Sequence, residues 1–174
     1  FLIQYAERDP VRLHMPGHKG RFGAPALQCA TTLDLTEITG ADSLFEAEGI
    51  LAESERNAAS LYGTAYTFYS CGGSTLCIQT MLLLMKQQGR AVLAARNVHR
   101  AFLNTCVLLA LPVQWIYPRE SDGILSGTYD LADFEAALQQ QTRPACVYVT
   151  SPDYLGRMAD IAGLAELCQR YHAK

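Results

Sequence analysis

Residues Ala91 to Ala95 read AVLAA, with no polar side chain on either alternating set. Successive residues of a strand point to opposite faces, so a run like this needs cover on both sides. Ala145 to Thr150 (ACVYVT) has the same character, and Val113 to Tyr117 (VQWIY) is a shorter relative that follows Pro112. Helical spacing fills the intervals, over Arg100 to Leu109 and over Leu131 to Gln140, the latter opened by Asp130 as N-cap. Ile161 to Tyr171 reads as a further helix. Strands apolar on both faces that alternate with helices predict an α/β fold, a mostly parallel sheet with helices on both faces in three layers.

A second stretch, Tyr66 to Gln79, reads YTFYSCGGSTLCIQ. Tyr66 to Tyr69 is a candidate buried strand, Cys71-Gly72-Gly73-Ser74-Thr75 a turn, and Leu76 to Met85 a buried helix with Ser74 as a candidate N-cap. Free N–H groups at a helix start attract anions, and the glycines let backbone come close to a ligand. The turn therefore reads either as a plain connector or as a phosphate site. It is neither GxxxxGK[ST] nor GxGxxG, which excludes the P-loop and the dinucleotide fingerprint. In a sheet of this class ligands gather where strands end. Three such ends carry polar or turn-forming groups: Gly72 to Thr75, Arg96-Asn97-His99, and Ser151-Pro152-Asp153. They are expected to face one pocket.

The 174 residues suffice for a domain with a sizeable core, and 49% hydrophobic with 18% charged residues is a globular composition. A net charge of −3 without a basic block argues against a nucleic-acid surface, and no apolar run has the length of a membrane span. The cysteines at 29, 71, 77, 106, 146 and 168 form no CxxC pair and have no metal-ligand spacing with histidine. They read as mostly buried free thiols of a cytoplasmic protein, with no metal site. Toward the N-terminus, Phe1 to Arg8 suits a short helix, and Leu33 to Ile38 alternates like an edge strand. Helical spacing resumes from Gly49 and ends at Gly63 as C-cap. Arg12 to Gly20 (RLHMPGHKG) is too rich in proline and glycine for regular structure.

Several blocks, taken in order, resemble the Orn/Lys/Arg decarboxylases. They are His14 to Gly20 (HMPGHKG), Asp34-Leu-Thr-Glu37 with Gly40 and Asp42, Glu48-Gly49-Ile50, Gly73-Ser74-Thr75, Arg96-Asn97-Val98-His99, Ser151 to Gly156 (SPDYLG) and Asp160-Ile161. The resemblance covers nearly the whole chain and is to the N-terminal part of the family's large catalytic domain. It implies the aspartate aminotransferase-like fold type I, with pyridoxal 5'-phosphate as cofactor. Residues 1–48 then form an N-terminal segment with the HMPGHKG turn, and 49–174 the first part of the cofactor-binding domain. By the same resemblance Gly73, Ser74 and Thr75 grip the cofactor phosphate, His99 stacks on its ring, and Asp153 lies near the 3'-oxygen. His18-Lys19 looks like the histidine–lysine pair that holds the cofactor but precedes the phosphate loop, so Lys19 is not the Schiff-base lysine. That lysine, and an aspartate for the pyridinium nitrogen, are expected downstream of Lys174, so catalytic residues are expected outside these 174 residues and the chain alone is expected to be inactive. The implied parent is a lyase that takes lysine, ornithine or arginine to a diamine or agmatine plus carbon dioxide, as a homodimer or higher homo-oligomer. Another fold-type-I lyase or aminotransferase, and a non-catalytic α/β ligand-binding domain, are the alternatives.

Overall fold

A computed structural model describes residues 1–121, 123, 126–143 and 145–174. The chain divides into two compact units, Phe1–Cys71 and Gly72–Lys174.

In the first unit, α1 spans Leu2–Glu7, α2 Pro25–Leu33 and α3 Ile50–Tyr62. Pro25 sits in the first turn of α2, where its fixed φ favours a helix and its missing N–H costs nothing. The expected edge strand at Leu33 to Ile38 is absent: Leu33 closes α2, and residues 34–38 are irregular. Alternation makes a strand only beside another strand, and none of the described residues of this unit forms one. The expected strand at Tyr66 to Tyr69 fails for the same reason. Tyr66 and Phe68 are 78% and 79% exposed, and the Tyr69 N–H donates to the Glu55 carboxylate at 2.9 Å rather than to a ladder.

Helix α3 begins at Gly49 without a cap from a neighbouring side chain. Asp42 supplies it from upstream. Its Oδ1 accepts from the N–H groups of Ser43 and Glu48, and its Oδ2 from those of Gly49 and Leu51, at 2.8–3.1 Å. Those bonds to the ionised form pull the Asp42 carboxyl down from 3.8 to about 2. Gly63 ends α3 in the left-handed conformation, φ +65°, as the sequence predicts.

The second unit holds α4 (Gly73–Gln87), β1 (Ala91–Ala95), α5 (Arg100–Leu108), β2 (Val113–Ile116), β3 (Glu120–Ser121), β4 (Gly127–Thr128), α6 (Leu131–Gln139), β5 (Ala145–Tyr148) and α7 (Ile161–Arg170). Strands β2, β1 and β5 form a parallel sheet in that order, with Val92 opposite Val113 and Cys146. Central β1 is buried along its whole length, as its unbroken apolar run requires. Its residues sort by parity. Leu93 and Ala95 pack with Phe134, Leu138, Leu164 and Leu167 of α6 and α7, while Val92 and Ala94 pack with Leu82, Phe102 and Cys106 of α4 and α5. The three-layer α/β class predicted from the sequence is therefore the observed one.

The loop between β2 and α6 contains a short antiparallel pair, β3 with β4. Positions 122, 124 and 125 of that loop, and Pro144 ahead of β5, lie outside the described residues. On the far edge of β5, Lys174 N–H donates to Ala145 C=O at 3.1 Å and Val147 N–H to Lys174 C=O at 2.8 Å, a parallel bridge. Among the described residues no helix is long and apolar enough to cross a membrane.

Candidate functional site

Strand β1 passes through α5 to β2 on one side, and the chain then returns to β5 on the other side of β1. The sheet order reverses at that point, which opens a crevice beyond the carboxyl ends of β1 and β5. Helix α4 reverses through Gln88 to Arg90 into β1, so it starts at this same end of the sheet. Helix α5 runs alongside α4 in the same direction, since Lys86 Nζ near the end of α4 donates to Leu109 C=O at the end of α5, 2.7 Å away. The starts of both helices thus face the carboxyl end of the sheet.

At the start of α4 the N-cap is Gly72, not Ser74, and no side chain caps the helix. Gly73 has φ +64° with open space where a Cβ would be, and Ser74 and Thr75 are exposed. A left-handed residue followed by uncapped N–H groups and two hydroxyls suits a tetrahedral anion. His99 caps α5, its Nδ1 accepting from Ala101 N–H at 3.1 Å. Nδ1 therefore carries no proton, and the exposed ring is held by one edge with its faces unused by that bond.

Asp153 is 8% exposed, and both its oxygens are engaged. Oδ1 accepts from Leu155 N–H at 3.0 Å and Arg157 N–H at 2.9 Å, and Oδ2 from Ser126 Oγ at 2.5 Å. The Ser126 hydroxyl first, and the backbone N–H groups after it, hold the carboxyl below its ordinary value. Asp153 is thus an anion that ties the 153–157 turn to Ser126. A cavity of about 160 Å³ fills the crevice and is lined by Asn97, Tyr129, Thr150, Asp153, Arg157 and Asp160 among others. Tyr129 Oη accepts from Asn97 N–H at 3.1 Å, and burial pushes the Tyr129 phenol up.

The structure thus brings Asn97 and Asp153 together. Gly73, Ser74, Thr75 and His99 do not line that cavity; they belong to the α4–α5 face, whereas Leu131, Phe134 and Leu164 wall the cavity from the α6–α7 face. The expected single pocket is two neighbouring features at one end of the sheet. Ser126 and Tyr129 carry no sequence signal. A serine before a glycine and a tyrosine before an N-cap are ordinary loop residues until the sheet order places them beside β1 and β5. Arg96 lies over the Trp115 ring at 5.4 Å, a packing contact.

The HMPGHKG turn folds upon itself. His14 Nε2 bonds Tyr5 Oη at 2.8 Å, and Lys19 Nζ donates to His14 C=O. His18 Nδ1 accepts from Gly20 N–H, which leaves Nε2–H to donate to Asp34 at 3.1 Å. Arg12, buried, donates to Thr32 C=O at 2.7 Å and crosses the Tyr5 ring. The thiols depart from the sequence expectation: Cys29, Cys71 and Cys77 are exposed, and Cys106 and Cys146 are buried. Burial pushes Cys146 up to about 11, so it is inert packing at neutral pH.

The sequence model of the Orn/Lys/Arg decarboxylase major domain matches residues 1–173. An arginine decarboxylase of Halalkalibacterium halodurans is 30% identical over 175 residues, covering 96% of this chain and 35% of that protein. An arginine decarboxylase of Bacillus subtilis is 28% identical over 177 residues, covering 98% of this chain and 36% of that protein. The chain spans about a third of the length of these relatives. Among solved structures, the complex of SepCysS with the SepCysE N-terminal domain aligns with 70% of this chain and 33% of its own, at a TM-score of 0.59 and 12% identity, a likeness of fold.

Proposed function

The chain belongs to the Orn/Lys/Arg decarboxylase family, and on that premise we propose that it holds the cofactor-phosphate end of a pyridoxal-phosphate-dependent decarboxylase acting on lysine, ornithine or arginine. The observation that carries the reading is the uncapped start of α4 behind a left-handed Gly73. Gly73, Ser74 and Thr75 bind the phosphate with backbone N–H and hydroxyl donors. His99, fixed by its bond to Ala101 N–H, offers a ring face against which a flat heterocycle rests. Asp153 holds the turn after β5 in place beside the site. Pyridoxal phosphate, when bound, supplies the electron sink for loss of carbon dioxide. The active oligomer is a homodimer or larger. Exposed Leu76, Met81, Leu83, Val107 and Leu108 on α4 and α5 support a covering copy.

The 174-residue chain by itself is inactive in this reading, since neither Lys19, bonded to His14 C=O, nor any residue of the described crevice supplies a cofactor lysine. Incubation with pyridoxal phosphate and each of the three amino acids tests this. Carbon dioxide release equal to that of free cofactor is expected, and release above it overturns the inactivity. Phosphate recognition is tested by titrating the chain with pyridoxal phosphate and with pyridoxal. Tighter binding of the phosphorylated form, lost in Ser74→Ala with Thr75→Val, is expected. Equal binding of the two sinks the cradle.

A further inference from the structure

Two consecutive N–H groups tie down the chain as it leaves β1. Arg96 N–H donates to Ile116 C=O at 3.0 Å, and Asn97 N–H donates to Tyr129 Oη at 3.1 Å. The second bond reaches across 32 positions of sequence to a side chain. Only Val98, packed against the Leu82 and Phe102 cluster, separates Asn97 from His99. Two residues of chain span at most about 7 Å, so Asn97 cannot shift far without carrying His99 with it.

Tyr129 is itself held. Its ring packs on Phe134, which is 1% exposed in α6, with the centroids 6.2 Å apart. The next residue, Asp130, caps α6 by accepting from Ala132 N–H at 2.9 Å. Phenylalanine would serve that packing as well. The hydroxyl has a different task, which is to accept a half-buried N–H that lies beyond the ladder of β1. At the other end of the same short segment the His99 ring is held by its bond from Ala101 N–H. The Asn97–Tyr129 bond thus joins the α6–α7 side of the sheet, where Tyr129 packs, to the start of α5, where His99 stands. We propose that Tyr129 is a positioning residue for His99, whose imidazole it holds at the carboxyl end of the sheet through the Asn97 N–H. The inference rests on the reading of His99 as the face against which pyridoxal phosphate lies, and it adds the residue that supports that face.

Tyr129→Phe deletes the hydroxyl and keeps the ring. Amide exchange in the 174-residue chain reads the coupling without any cofactor. Asn97 and Ala101 are expected to exchange faster by about tenfold in the variant, while Gly163, capped by Asp160 in α7, keeps its wild-type rate. An unchanged Ala101 rate, or an equal rise at Gly163, overturns the positioning role. Titration with pyridoxine 5'-phosphate, which has no aldehyde to condense with lysine, and with inorganic phosphate reads the consequence. Tyr129→Phe is expected to weaken pyridoxine phosphate by about fivefold and inorganic phosphate not at all. In a His99→Ala background the same change is expected to cost less than about twofold, because its effect passes through the missing ring. A loss of about fivefold in that background as well overturns the route through His99. If wild type and His99→Ala bind pyridoxine phosphate alike, or neither binds it, the cofactor reading of His99 falls, and the Ala101 rate still decides for or against its support by Tyr129.

Discussion

Ser126 Oγ donates to Asp153 Oδ2 at 2.5 Å across 27 positions of sequence, and this bond joins the strand pair ahead of α6 to the turn beyond β5. It is the leading cause of the depressed Asp153 carboxyl. In Ser126→Ala the Asp153 carboxyl is expected to move up toward 3.8, its ordinary value, as followed by carboxylate carbon shifts in a pH titration. The sign of the pH effect follows. A carboxyl depressed in the folded state adds stability that is complete above pH 3.8 and is lost as pH falls through the folded value. The wild-type turn therefore loosens in acid, and Ser126→Ala shows a smaller pH dependence. An unchanged Asp153 titration in the variant contradicts the assignment.

Asp42 makes a sharper acid prediction for the first unit. Its carboxyl titrates at about 2 in the folded chain against 3.8 ordinarily, so its contribution is whole above 3.8 and disappears toward 2. Asp42→Asn keeps one acceptor oxygen and replaces the other with a donor, which cannot accept from Gly49 and Leu51. Faster amide exchange at Leu51 is expected in the variant at neutral pH, and in the wild type only in acid. Equal exchange in both at neutral pH removes Asp42 from its capping role.

Phe102 tests the core of the second unit. It is fully buried, 4.3 Å from the Tyr148 ring and 6.0 Å from that of Trp115. Phe102→Ala is expected to cost about 3–5 kcal/mol in urea unfolding, by lost transfer free energy and a residual cavity. Leu93→Ala, on the opposite face of β1, is expected to cost about 2–5 kcal/mol. Costs under about 1 kcal/mol mean that the sheet is not packed on both faces.

Gly73→Ala isolates backbone from contact. A Cβ there meets nothing within 4 Å, so the expected loss of about 1–2 kcal/mol comes from φ +64° alone. Weaker binding of pyridoxal phosphate accompanies it if the N–H groups turn away. A stability equal to wild type shows that residue 73 is not held in the left-handed conformation.

The parts legible in the sequence are those that local chemistry decides. The unbroken run Ala91 to Ala95 demands cover on both faces, and it received α6 and α7 on one side and α4 and α5 on the other. Asp130 and Gly63 mark a helix start and a helix end through bonds and dihedrals within a few residues. The family blocks, HMPGHKG and RNVH among them, carried the resemblance that the match over residues 1–173 bears out. Where the reading failed, it lacked a partner. Leu33 to Ile38 and Tyr66 to Tyr69 have strand-like patterns, but a strand exists only when a neighbour takes its hydrogen bonds, and the pattern does not name one.

The crevice belongs to tertiary structure entirely. Asn97, Ser126, Thr150 and Asp153 are scattered along the chain, and none announces the others. They meet because the sheet is ordered β2, β1, β5, which sets the ends of β1 and β5 side by side. Local sequence determined that β1 is buried on both faces, where α3 ends and where α6 begins. The order of the strands decided which polar groups share a cavity.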